Sequence, residues 1–184
     1  MSSLFVRPAT RREIPEIEQL ILAAFSPYRE QVSSMPVLEA YIENSRDIGS
    51  RWDEAEILAV EVNGRIGGTV TWYADASREG LNLPRDWAGF RTLAVHPDLR
   101  GLGLGRTLVR ECIGRSGLRG IATIGIHTAD FMAAACRIYD SLGFRRIPSH
   151  DLWLSEALHC DSSAGDVLAT AYRLDFVKPF TESR

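Results

Sequence analysis

Lysine is almost missing from this sequence: Lys178 is the only one, so 20 of the 21 basic residues are arginine. Codon usage in a GC-rich genome accounts for that total better than a general demand for arginine's bidentate phosphate chemistry. Cysteine is scarce too. Cys112, Cys136 and Cys160 are an odd number with no C-x-x-C pair, which argues against a disulfide framework or a structural zinc site and for a reducing compartment. No apolar stretch approaches the length of a membrane span. The start, Met1-Ser-Ser-Leu-Phe-Val-Arg-Pro, lacks the basic region and apolar run of a secretory leader, so a cytoplasmic location is expected. There is no excess of basic charge: a net charge of −3 creates no global field toward nucleic acid or an anionic membrane, and neither is expected as a partner.

What remains is an ordinary composition. At 184 residues and 45% hydrophobic content, the chain suits a single domain over residues 1–184. A domain of this size buries roughly two-thirds of its unfolded surface and needs no staple.

Leu4 to Arg7 reads as a strand, and Thr10 with Glu13 forms a capping box that opens a helix striped by Ile14, Ile17, Leu20, Ile21 and Ala24. A weaker helical pattern runs from Pro36 to Arg46. Ile57 to Val62 and Arg65 to Tyr73 flank Asn63-Gly64, a pair suited to the positive φ angles of a type I′ hairpin. Residues 74–86 read as a polar loop and Trp87 to Val95 as a strand. The predicted order then alternates: helix from Gly105 to Ser116, strand from Ile121 to Ile126, helix from Asp130 to Leu142, a strand beginning at Phe144. A long connection at 148–166 and a last strand from Val167 to Phe176 follow. The expected class is α/β (α+β), with helices around a mixed sheet.

The segment Arg100-Gly101-Leu102-Gly103-Leu104-Gly105-Arg106-Thr107 lies between a predicted strand and helix. Its glycines let several backbone N–H groups face one concavity, and the helix dipole adds positive potential, so the loop suits a pyrophosphate. The spacing fits known nucleotide loops poorly. A Walker A loop needs G-x-x-x-x-G-K, but three residues separate Gly101 from Gly105 and Arg106 stands at the lysine position. The dinucleotide fingerprint G-x-G-x-x-G is one residue longer than the series Gly101, Gly103, Gly105.

The pattern Arg100-x-x-Gly103-x-Gly105, preceded by Leu93-Ala94-Val95-His96-Pro97, resembles motif A of the GCN5-related N-acetyltransferases. About thirty residues on, Ala135-Cys136-Arg137-Ile138-Tyr139-Asp140-Ser141-Leu142-Gly143-Phe144 resembles that family's motif B. The resemblance is specific over residues 87–147. It implies a central mixed sheet splayed open between the strands ending at Val95 and Ile126, with acetyl-CoA in the gap. The pantetheine arm would pair with backbone of Leu93, Ala94 and Val95, and the phosphates would sit on Arg100, Gly101, Leu102, Gly103, Leu104, Gly105, Arg106 and Thr107. The activity implied is direct acetyl transfer to a primary amine of a small molecule or peptide, without a metal. A homodimer is left open, and a catalytically silent acyl-CoA-binding module is the alternative.

Direct transfer needs a proton acceptor for the amine and a donor for the departing thiolate. Tyr139 matches the family's tyrosine acid, and a phenol with an unperturbed pKa of about 10 can protonate such a thiolate. The strand Trp87-Ala88-Gly89-Phe90-Arg91-Thr92 holds no carboxylate where many family members carry a glutamate. His127 is the substitute expected as base, because neutral imidazole has suitable basicity; Glu61 and Asp130 are weaker candidates. Met132 stands where the family commonly has asparagine. Phe25, Tyr28, Trp52 and Trp72 are candidates to wall an acceptor cleft or to fill the core. Between Arg91 and Arg119 six arginines face only Asp98 and Glu111, so the glycine loop sits in a basic segment of an acidic chain.

Overall fold

The computed structural model describes residues 4–176; residues 1–3 and 177–184, with Lys178 among them, lie outside that range. Eight strands, β1 (Phe5–Pro8), β2 (Glu56–Val62), β3 (Arg65–Tyr73), β4 (Ala88–Val95), β5 (Thr123–Thr128), β6 (Arg145–Arg146), β7 (Leu152–Trp153) and β8 (Leu168–Asp175), form one sheet. The order is β1-β2-β3-β4-β5-β8-β6, with β7 pairing separately with β8. Among the described residues only β4 and β5 run parallel. The helices are α1 (Ile14–Phe25), α2 (Met35–Arg46), α3 (Leu104–Leu118), α4 (Ala133–Ser141) and α5 (Leu154–Leu158). None of the helices among the described residues is long and apolar enough to cross a membrane.

Strand β2 explains the layering. Leu58 and Val60 point to one face, where Leu104, Leu108 and Cys112 of α3 cover them. Ile57 and Ala59 point to the other, against Ile17, Ile21, Leu38 and Ile42 of α1 and α2. A strand buried on both faces needs an unbroken apolar run, which Ile57 to Val60 supplies.

Several predicted boundaries shift for identifiable reasons. The Thr10–Glu13 capping box forms: the Glu13 carboxylate accepts from the Thr10 backbone N–H at 2.6 Å. The turn after it is 3₁₀ before α1 begins at Ile14, since Pro15 has no N–H to give to an α-helical bond. Asn63 and Gly64 take the expected positive φ angles of 52° and 76°. Helix α4 starts at Ala133 rather than Asp130, because residues 129–132 close a separate turn with Met132 N–H bonded to Ala129 O at 2.8 Å. The expected polar loop at 74–86 instead buries Ala76, Glu79, Leu81 and Leu83. The expected connection at 148–166 contains β7 and α5, with Leu154 packed against Val37 and Val167.

Arg7 hydrogen-bonds both Glu13 and Glu61, and its bonds hold the Glu13 carboxyl at about 2, below the ordinary 4.5, against the opposing effect of burial. A depressed carboxylate contributes stability above its unfolded pKa and loses it as the pH falls through the folded one. Glu13→Gln is therefore expected to cost up to ~1 kcal/mol at pH 7. Urea unfolding at pH 7 and pH 3 checks this, the difference shrinking as the pH falls from 4.5 toward 2.

Candidate active site

Strands β4 and β5 pair only at Ala88 with Ile124 and Gly89 with Gly125, then separate. The two glycines make the last rung, and neither has room for a side chain. A Cβ on Gly125 would lie 2.9 Å from the Trp87 ring, and one on Gly89 would lie 3.1 Å from Ala76. Beyond the rung β4 carries a bulge. Its register with β3 moves from Thr71–Arg91 to Thr69–Ala94, and Thr92 takes φ 55°, a strained angle for a β-branched residue. The expected splay is present, and the bulge sits inside it.

Two spaces occupy the splay. The larger is a groove of about 650 Å³ lined by Leu93, Ala94 and Val95 of β4 and by Arg100, Gly101, Gly103, Leu104, Gly105 and Arg106 of the loop, with Ile138 of α4 opposite. Gly101 and Gly103 adopt φ angles of 83° and 80°, a region that costs other residues about 1–2 kcal/mol. The first backbone bond of α3 runs from Thr107 N–H to Gly103 O at 3.0 Å, so the N–H groups of 104–106 have no partner within the helix. Two expected residues stay out of the groove: Leu102 is solvent-exposed, and the Thr107 hydroxyl donates to Gly103 O at 3.1 Å. The arginines are already engaged on one side. Arg100 donates to Ala24 O at 2.9 Å, tying the loop to α1, and Arg106 donates to Ser141 Oγ at 2.6 Å.

The smaller space is a recess of about 50 Å³, room for a few waters or a small polar group. It meets the groove at Phe25, Tyr28, Leu93 and Ala135, which line both. Tyr139 forms part of its wall, with its ring 5.8 Å from Phe90 and 5.6 Å from Phe144. Burial raises the Tyr139 phenol well above its ordinary range and keeps it protonated. Met132 lines the recess as well.

His127 lines it too, but without a free nitrogen. Nε2 lies 2.9 Å from His150 O and Nδ1 lies 3.2 Å from Glu79 Oε1. A carbonyl only accepts, so Nε2 carries the hydrogen of that bond, and Nδ1 faces the Glu79 carboxylate. The two side chains are 3% and 0% exposed. The second carboxylate oxygen, Glu79 Oε2, is buried without a partner among the described residues. Glu79, on the turn before β4, thus brings a carboxylate into the recess, and the Arg91 guanidinium holds its backbone O at 2.7 Å.

Glu79 was not among the expected residues, because an irregular turn has no period to betray a buried face; Leu81 and Leu83 nearby were the only hint that the loop packs inward. The weaker base candidates lie elsewhere: Glu61 pairs with Arg7, and Asp130 is exposed. The four aromatics divide. Phe25 and Tyr28 line both spaces, Trp72 is core with its indole N–H on Ser116 Oγ at 3.1 Å, and Trp52 packs beneath Arg11.

A sequence model described as the acetyltransferase (GNAT) family matches residues 15–144. The chain belongs to this family. Within the family it is similar to the N-alpha-acetyltransferase RimI of Mycobacterium tuberculosis, at 35% identity over 86 residues, 47% of this chain and 52% of that protein. The chain thus spans about half the length of that curated relative. Among solved structures it is similar to the ribosomal-protein alanine N-acetyltransferase of Escherichia coli, with a TM-score of 0.66 at 17% identity over 99% of each chain. It is also similar to an acetyltransferase of Salmonella typhimurium solved with its cofactor acetyl-CoA, with a TM-score of 0.63 at 19% identity over 99% of each chain. The GNAT match ends at Phe144, so residues 148–166 lie beyond it. They nevertheless close the recess: His150 supplies the carbonyl that fixes His127 and stacks its ring on Trp87 at 5.5 Å.

Proposed function

We propose that this chain is an acetyl-CoA-dependent N-acetyltransferase that moves an acetyl group to an amine of a small molecule or peptide within a ternary complex. The observation that carries the proposal is the meeting, at Leu93, of a long groove and a recess holding Glu79, His127 and Tyr139. The groove suits the donor chemically. Unpaired N–H groups at the start of α3 and the remaining Arg106 donors favour phosphates, and the edge of β4 beyond Gly89, unpaired by β5, can bond a pantetheine arm at Leu93, Ala94 and Val95.

The thioester supplies an activated acetyl carbonyl. The chain's residues arrange the protons. As the N–C bond forms and the C–S bond breaks, one proton leaves the amine for the Glu79–His127 pair, and Tyr139 gives one to sulfur. Glu79 Oε2 is the open acceptor, with Oε1 occupied by the imidazole. A backbone N–H near Leu93 would polarise the carbonyl.

Thiol release from acetyl-CoA across a broad amine panel tests the activity. Tyr139→Phe is expected to lower kcat by about 10–100-fold with CoA affinity unchanged. No release from either form, with CoA still bound, would reduce the chain to a binding module.

A further inference from the structure

We propose that the acceptor carries a carboxylate beside its amine, and that Arg91 is the residue that selects it. The proposal rests on the acetyl-transfer reading of the same site.

Arg91 lines the recess with Glu79 and His127. Its Nη1 donates to Glu79 O at 2.7 Å and its Nη2 to Asn44 Oδ1 at 2.6 Å. A guanidinium has five N–H groups, so three are left without a protein partner among the described residues. One of them, Nε, is fully buried. Asn44 Oδ1 is shared, because Arg51 also donates to it at 3.0 Å, and Arg51 is itself 9% exposed. Two guanidiniums therefore share one neutral oxygen; Arg51 also donates to the backbone O of Asp47 and of Asn44, so the unfilled donors are those of Arg91. Among the described residues no carboxylate forms an ion pair with either: the Glu79 carboxylate in the same recess turns Oε1 to His127 and leaves Oε2 without a partner. Other buried polar atoms around them also lack partners: the Tyr73 and Thr92 hydroxyls.

Arg91 is half-buried with its Nε fully enclosed, and a cation held there without an ion-pair partner, with a buried donor lacking an acceptor, is costly. Proteins retain such groups where a ligand completes them. Here the missing piece is a small anion with acceptor oxygens. A planar carboxylate matches the guanidinium fork. Glu79 sets the scale: its backbone carbonyl touches Arg91 and its side chain touches His127. One residue's length therefore separates the cationic end of the recess from the end that takes the amine's proton. An amine and a carboxylate a few bonds apart, as in the first residue of a peptide beginning with aspartate or glutamate or, more compactly, in a free α-amino acid, can address both ends. The shared chemistry is a carboxylate and an amine on one short scaffold.

The test compares matched acceptors with the wild-type protein: free α-amino acids against their amides, and tripeptides beginning with Asp or Glu against those beginning with Asn or Gln. Thiol release from acetyl-CoA is one readout. Thermal stabilisation by each acceptor in the presence of CoA is the second and does not depend on turnover. The acid member of a pair is expected to exceed its amide by about 30-fold or more in kcat/KM and to stabilise the protein when the amide does not. Which set responds identifies the source as free amino acid or peptide. Arg91→Gln should abolish the difference while CoA still binds, and Arg91→Lys should restore part of it. Equal or better response to the amides in both readouts would overturn the proposal. Selective stabilisation by the acids without any turnover would support the carboxylate site and count against acetyl transfer instead.

Discussion

Replacing Glu79 by glutamine is expected to lower kcat/KM by about 10²–10³-fold. The reason is that the amide loses the oxygen able to take a proton while keeping almost everything else. Glutamine has the same length and can donate an N–H to Nδ1 of a neutral His127, with Nε2 still bonded to His150 O. Little should change in the fold. CoA affinity should not move, because Glu79 lies in the recess and outside the groove. A purely structural role would show itself differently, as lower thermal stability with kcat/KM nearly intact in the surviving protein. Retention of more than half the wild-type kcat/KM by a stable Glu79→Gln would remove Glu79 from the proton path. His127→Gln provides the matching measurement: if the imidazole holds the carboxylate in place, that variant should lose rate by a smaller factor and Glu79→Gln should add little to it, since residues acting as a unit are not additive.

The largest stability effect is expected at Phe90. Its side chain is 1% exposed and meets Tyr139 at 5.8 Å and Phe144 at 6.2 Å, so Phe90→Ala would open a cavity among three rings. Such truncations cost about 3–5 kcal/mol, which for a chain of this size lowers Tm by roughly 10 °C. Phe90→Leu should recover most of that loss. The activity should fall with it, because Phe90 is the wall that sets the Tyr139 ring at the recess. Thermal melts of the two variants, with kcat measured well below their transitions, separate the effects. A melting point for Phe90→Ala within a few degrees of wild type would mean that the three rings repack and that the recess wall is soft.

The motifs were legible because their physics is local. Glycines that take φ near 80° just before a helix place backbone N–H groups by dihedral angles alone, and the apolar repeat of motif B places Tyr139 on the buried face of α4. The hairpin at Asn63-Gly64 was legible for the same reason. Glu79 and Arg91 were not. On a strand that reads Gly89-Phe90-Arg91-Thr92, Arg91 looks like any polar residue, and only the bulge at Thr92 together with the turn that brings Glu79 O to 2.7 Å makes it a wall of the recess.

From residue order alone followed the alternating elements, the anion-binding loop and the resemblance to one family, since each depends on contacts within a few residues or on a spacing. Only the tertiary structure could pair the His127 imidazole with Glu79, 48 positions away, and with the carbonyl of His150 on the far side. Hydrogen bonds across such separations depend on where the splayed strands come to rest. That position is set by packing on both faces of the sheet and leaves no mark in the sequence around any one of the three residues.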